Sequence, residues 1–217
     1  MPILSNNKFE AFYSTKRWGV FSKIEEKKID DAVHIYYRVN IYDFLKKVDK
    51  EQFNYCFLTD GNEIVGLISI NNLNYLPVYN YLYQWISRVE SSIIEYIKNK
   101  IEEIELIRLF EDSSDGRKKE TLSSFKEDQK NNKENNFFSY LYFTDLGYLI
   151  KRFEHQLGHN VKDLQSFSRN FNDKGLYADL RNTVAHPNKI LFQNFNDVNR
   201  VFKILEEFQE ILSLVES

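Results

Sequence analysis

The sequence predicts an α+β chain in two parts, a small mixed α/β module over residues 1–76 and an all-helical, up-and-down bundle over 77–217. Two observations carry this. Before residue 77, short β-branched and aromatic runs are separated by turn chemistry. After it, apolar residues recur at three- and four-residue intervals, the period of amphipathic helices. A third observation marks a break inside the helical part: over 111–136, Leu122 and Phe125 are nearly the only apolar side chains, so this stretch reads as a polar loop or mobile insert.

The elements follow in order. Val33 to Val39 is aromatic and β-branched enough for a strand, and Ile41 to Val48 is a short amphipathic helix. Asn54 to Thr59 and Glu63 to Ile70 are two strands of a hairpin, joined by Asp60-Gly61-Asn62, where the glycine is free to take positive φ. Asn71 to Leu76 closes as a helical turn before Pro77. From Val78, the residues Leu82, Trp85, Ile86, Val89, Ile93, Ile97, Ile101 and Ile104 predict one long helix. Phe138 to Leu157 predicts a second, stopped by Gly158. Val161 to Phe167, Leu176 to Ala185 and Val198 to Val215 predict three more.

Composition narrows the chemistry. The chain has 217 residues, 42% hydrophobic and 28% charged, ordinary for a globular protein with room for one large or two small domains. No stretch approaches the roughly 18 uninterrupted apolar residues of a membrane span, and the first residues lack a leader pattern, so the expectation is a cytoplasmic protein away from membranes. The single cysteine, Cys56, lies in an apolar run and excludes an intrachain disulfide or a cysteine-based zinc site. With a net charge of −3, any attraction to nucleic acid must come from a local groove.

The helix, hairpin and helical turn around Phe57-Leu58-Thr59-Asp60-Gly61-Asn62-Glu63-Ile64-Val65-Gly66-Leu67-Ile68-Ser69 resemble the second half of a CBS motif, over residues 33 to 76. The resemblance implies adenine-nucleotide binding, with Ser69 and Asn72 at the positions that hold ribose and phosphate. Asn72 stands where the family carries Asp, and one copy of the motif is present where a pair is usual, so a structural or dimerising role stays open beside the ligand-binding one.

Near the end of the predicted Leu176–Ala185 helix lies Arg181-Asn182-Thr183-Val184-Ala185-His186, an Arg and a His separated by four residues with Asn directly after the Arg. This resembles the HEPN family, over residues 78 to 217. The likeness includes a long first helix bearing an acidic residue, Glu90, and a motif placed just ahead of the last amphipathic helix. It implies a metal-independent endoribonuclease that works as a homodimer on RNA, with Arg181, His186 and Asn182 catalytic and Glu90 supporting. The implied setting is prokaryotic defence or toxicity, and no cofactor is required. Related toxins carry a modifiable Tyr two residues after the His; here Asn188 stands there, which leaves the CBS-like module and its adenine nucleotide as the expected regulator.

The residue types suit this chemistry. RNA cleavage without metal must remove a proton from a 2′-hydroxyl, neutralise a doubly charged phosphorane and protonate the leaving 5′-oxygen. Histidine titrates near neutrality and arginine presents a permanently charged fork to phosphate. On a straight helix Arg181 and His186 stand about 140° apart. Pro187 pushes His186 out of the helical region, so its ring can return toward Arg181, and the negative helix end favours the imidazolium. One histidine serves both proton transfers poorly; a two-fold dimer supplies a second.

Competing readings are simpler. Arg181 can be an ion pair to Glu90, His186 a helix-terminal cap and Asn182 a turn residue, in which case the domain is a non-catalytic module binding nucleotide, RNA or protein. His155 and His159, four apart, share one helix face and with Glu154 suggest a metal site, but they lack the order and third ligand of a zinc hydrolase, so no metal is expected. Ser123, Ser124 and Ser166 lack nucleophile-elbow glycines. The mixed-charge run from Arg117 to Glu134 reads as a solvated loop, or a flap closing over RNA.

Overall fold

The computed structural model describes residues 2–5, 8–15, 24–28, 33–133, 136–158 and 161–216. The chain is α+β and divides into two compact units, Met1–Val78 with Ile190–Phe202, and Tyr79–Lys189 with Lys203–Ser217.

Among its described residues the first unit holds two three-stranded sheets. Strands β1 (Pro2–Ser5), β2 (Lys8–Thr15) and β3 (Ile24–Lys28) form an antiparallel meander that the sequence reading did not anticipate. The second sheet follows the expected order: β4 (His34–Tyr36), helix α1 (Ile41–Glu51), β5 (Tyr55–Asp60) and β6 (Glu63–Ser69). β4 runs parallel to β5, and β6 returns antiparallel through a turn in which Gly61 has φ of 58°. β4 is shorter than Val33 to Val39 because the chain turns after Tyr36, where the Val39 N–H donates to the Tyr36 carbonyl at 3.0 Å. α1 is capped by the Asn40 side chain, which accepts from the Asp43 N–H at 2.9 Å, and it buries Phe44, Leu45 and Val48. Burial among such groups pushes the Cys56 thiol up to about 12, in keeping with a core role.

Residues 190–202 join this unit for a polar reason. The Asn74 Oδ1 accepts the backbone N–H groups of Leu191 and Phe192, each at 2.9 Å, and its Nδ2 donates to the Phe192 carbonyl at 2.7 Å. Tyr42 also packs on Phe202, with ring centroids 5.3 Å apart.

The second unit is helical. Helix α2 (Leu76–Lys98) supplies its spine, with Leu82, Ile86, Val89, Ile93 and Ile97 all buried. The single long helix expected through Ile104 is two. The Lys100 and Ile101 N–H groups both donate to the Ile97 carbonyl, ending α2, and Ile101 turns inward before α3 (Glu103–Glu111) restarts from an extended Glu102.

The expected loop over 111–136 is largely a helix, α4 (Gly116–Lys130). Lys118, Leu122 and Phe125 sit four and three residues apart, and all three are buried. Lys118 behaves as part of the apolar face, its Nζ lying 3.8 Å from the centroid of the Tyr148 ring. Phe125 packs on Phe137 and Tyr140, with centroids 5.0 and 5.4 Å away.

The expected helix over 138–157 is likewise broken. A 3-10 turn (Phe137–Tyr140) precedes α5 (Phe143–Arg152), which the buried Asp145 caps by accepting the Tyr142 N–H at 2.9 Å. α6 (Glu154–Leu157) and α7 (Val161–Phe167) are short. Then come α8 (Leu176–Val184) and α9 (Phe195–Val215). Among the described residues the helical part thus has shorter and more broken helices than its periodicity predicts.

Asn74→Ala removes the acceptor of two N–H groups in buried residues, so it is expected to cost about 2–4 kcal/mol in denaturant unfolding; an unchanged midpoint would show that residues 190–192 are held otherwise.

Candidate functional site

Arg181 is placed by α8, and α8 is placed by its first turn. A Cβ on Gly175 would stand 2.4 Å from the Asn170 carbonyl oxygen, so only glycine lets the chain enter the helix this closely. Tyr177 is fully buried, edge-on to Phe171 and Phe208 with centroids 4.9 and 5.0 Å away. Its hydroxyl donates to Glu207 Oε2 at 2.5 Å, and burial drives its ionisation far above the tyrosine range, so it remains a donor. Arg181 lies four residues further along, next to the buried Leu180 and itself half-buried.

The Arg181 guanidinium donates to Asn182 Oδ1 at 3.4 Å and acts electrostatically on Glu90 of α2. Burial raises the Glu90 carboxyl above its ordinary value, and the Arg181 charge pulls the other way. The two side chains do not close into an ion pair, so the guanidinium keeps its capacity for an anion.

α8 ends at Val184, one residue before the expected Ala185. The Ala185 N–H donates to Arg181 O and the His186 N–H to Thr183 O, after which the chain turns, with Lys189 N–H on His186 O at 2.9 Å. His186 therefore lies beyond the helix in an exposed turn, and its ring makes no hydrogen bond or ion pair with a described residue. Asn182 serves Arg181 rather than holding that ring. The turn is anchored by Tyr79, whose hydroxyl donates to the Lys189 carbonyl at 2.5 Å.

Tyr79, Tyr177 and Glu207 escaped the sequence reading because buried tyrosines at helical spacing look like ordinary core until their acceptors are known.

Beside Glu90 a cleft of about 490 Å³ runs along α2, walled by Ile94, Phe138 and Leu141 and edged by Ser91 and Ser139.

The other predicted residues fall elsewhere. Ser69 and Asn72 lie together in the first unit, where Asn72 Oδ1 accepts from the Ser69 N–H at 2.8 Å and from its hydroxyl at 2.9 Å; the pair caps the 3-10 turn Ile70–Asn74. His155 is exposed, with Nε2 3.6 Å from Glu154 Oε1, and His159 lies outside the described residues. Among the described residues no group of three or more His, Cys, Asp or Glu is arranged to hold a metal ion.

The basic run is largely a helix rather than a loop, and several of its charges are paired. Arg117 pairs with Asp173 at 3.0 Å, Lys126 with Glu111 at 2.6 Å, and Lys118 is buried.

No protein-family model, curated protein or solved structure matches this chain. Among the described residues no helix is long and apolar enough to cross a membrane.

Because burial outweighs Arg181, Glu90 binds its proton more tightly in the folded chain than in the unfolded one. Its ionisation thus opposes folding above the raised value, and the penalty is gone below about pH 4.5. Glu90→Gln is expected to raise the thermal midpoint at pH 7, the gain shrinking toward zero as the pH falls to 4.5; a gain equal at both pH values would contradict the burial argument.

Proposed function

We propose that the helical unit is a metal-independent endoribonuclease of HEPN type, cutting RNA as a homodimer in the cytoplasm. The reading rests on one arrangement. A half-buried arginine, Arg181, acts electrostatically on Glu90 without an ion pair, and an exposed histidine, His186, follows on the turn just past the same helix.

In this reading the RNA 2′-oxygen attacks phosphorus as its proton passes to a histidine. The bond to the 5′-oxygen then breaks, and that oxygen takes a proton from a second histidine. The products are a 2′,3′-cyclic phosphate and a 5′-hydroxyl. Arg181 neutralises the phosphorane oxygens. A second copy of the chain supplies the second His186, so that one ring takes the proton and the other delivers one. Asn182 steadies the guanidinium, and Glu90 biases its position from α2.

The test is labelled RNA incubated with protein and chelator. Wild type is expected to cleave, and Arg181→Ala and His186→Ala are each expected to lose at least about 100-fold in rate, the lower end of what proton transfer and charge stabilisation contribute. Cleavage surviving in both variants would end the enzymatic reading.

The second reading is a non-catalytic module that binds nucleotide, RNA or protein through Arg181 as an anion anchor. It is favoured by the His186 ring, which no described group orients. The same assay separates the two, since this reading expects retention of RNA without product.

For the first unit we propose a CBS-like regulatory role with an adenine nucleotide as ligand, in a defence or toxin effector whose control is built into its own chain. The β4–α1–β5–β6 order and the Ser69–Asn72 pair support it, although the nucleotide must then compete with the bond between those two side chains. AMP or ATP at about 100 times its dissociation constant is expected to add about 2.7 kcal/mol of stability and so raise the thermal midpoint. No response to either nucleotide removes the regulator.

A further inference from the structure

We infer that the cleft beside Glu90 seats a guanine base of the RNA, the Glu90 carboxylate accepting from its N1–H and N2 amino group. This rests on the RNA-cleaving reading of Arg181 and His186 and adds to it a rule for where the chain cuts.

The cleft's volume of about 490 Å³ suits a nucleotide base with part of its sugar. Ile94, Phe138 and Leu141 supply the smaller, apolar part of a lining that is mainly polar, so hydrogen bonding has to carry most of the recognition. Ser91 and Ser139 leave hydroxyls at its edge for the polar margin of such a ring.

Charge decides which part of a nucleotide enters. Glu95 and Lys98 also line the cleft, but they stand 3.5 Å apart and offset each other. Glu90 remains as its unpaired charge and repels phosphate. The Arg181 charge acts on Glu90 from outside the cleft lining. A phosphate held by Arg181 therefore leaves its base, and not its backbone, to occupy the cleft.

Hydrogen-bond geometry decides which base. A carboxylate offers two acceptor oxygens side by side and no donor. Guanine alone presents two adjacent donors on its Watson–Crick edge. Adenine and cytosine place one amino group beside a ring nitrogen whose lone pair faces the carboxylate, and uracil offers a single N–H between two carbonyls. Unstacked bases in single-stranded RNA expose this edge.

The full chain is to be given a randomised, end-labelled RNA pool and its cut sites sequenced, with binding of 5′-GMP and 5′-AMP measured in parallel by calorimetry. Wild type is expected to show guanosine enriched about tenfold at one fixed position from the cut and to bind GMP about tenfold more tightly than AMP. Glu90→Gln, whose amide offers one acceptor and one donor, is expected to shift the preference toward adenosine and cytidine, whose edges each pair an amino donor with a ring-nitrogen acceptor. Ser91→Trp fills the cleft from the α2 side and is expected to erase the preference; unfolding midpoints confirm that both variants are folded.

Cleavage without base preference, or a guanosine preference that both variants retain, overturns the inference while leaving the nuclease reading intact. GMP selectivity that depends on Glu90 in a chain that cleaves nothing supports the cleft and rejects the nuclease.

Discussion

The helical unit depends on the burial of one stripe of α2. Leu82, Ile86, Val89, Ile93 and Ile97 are 0–1% exposed, and fully burying an aliphatic side chain of this kind contributes about 1.5–3 kcal/mol. A stripe so completely covered dictates what its neighbours can be. Glu90 follows Val89 by about 100° around the helix, which sets its carboxyl on the shoulder of the stripe, half in and half out of water. The raised carboxyl and the cleft beside it are both consequences of that position. Further round, Arg88 and Ser92 reach Glu216 after α9, each at 2.9 Å, and hold its carboxyl below the usual range.

Polar accounting, more than apolar packing, places the arginine and the histidine. Buried hydroxyls need partners, and two tyrosines find theirs where the motif is carried. Tyr177 ties the first turn of α8 to Glu207, so the face bearing Arg181 is set from α9. Tyr79 ties the turn after His186 to α2 through the Lys189 carbonyl. The Arg181–His186 segment is thus fixed at both ends while the His186 ring stays exposed.

The same accounting explains how a polar segment folds as a helix. α4 has few apolar side chains, yet Lys118 lays its stem and ammonium against Tyr148 and extends the face begun by Leu122 and Phe125. A lysine used this way is invisible to a count of hydrophobic residues. Its neighbours Arg117 and Lys126 are held by Asp173 and Glu111, so charges that look available in the sequence are engaged in the fold.

What the sequence by itself determined is what neighbours within a turn or a hairpin encode. The 3.6-residue period marked α2 and α9, Asp60-Gly61-Asn62 marked the β5–β6 turn, and Pro187 marked the end of α8 before His186. The α+β division follows from these signals. Tertiary structure decided what depends on partners far along the chain: the break of α2 after Lys98 where Ile101 turns inward, the helicity of α4, and the capture of residues 191 and 192 by Asn74 more than 110 positions away. It also decided that the Arg181 charge acts on Glu90, 91 positions away, without an ion pair between them. Periodicity reports which face of an element is buried, whereas the free energy of a half-buried carboxyl depends on which charge the folded chain brings to it.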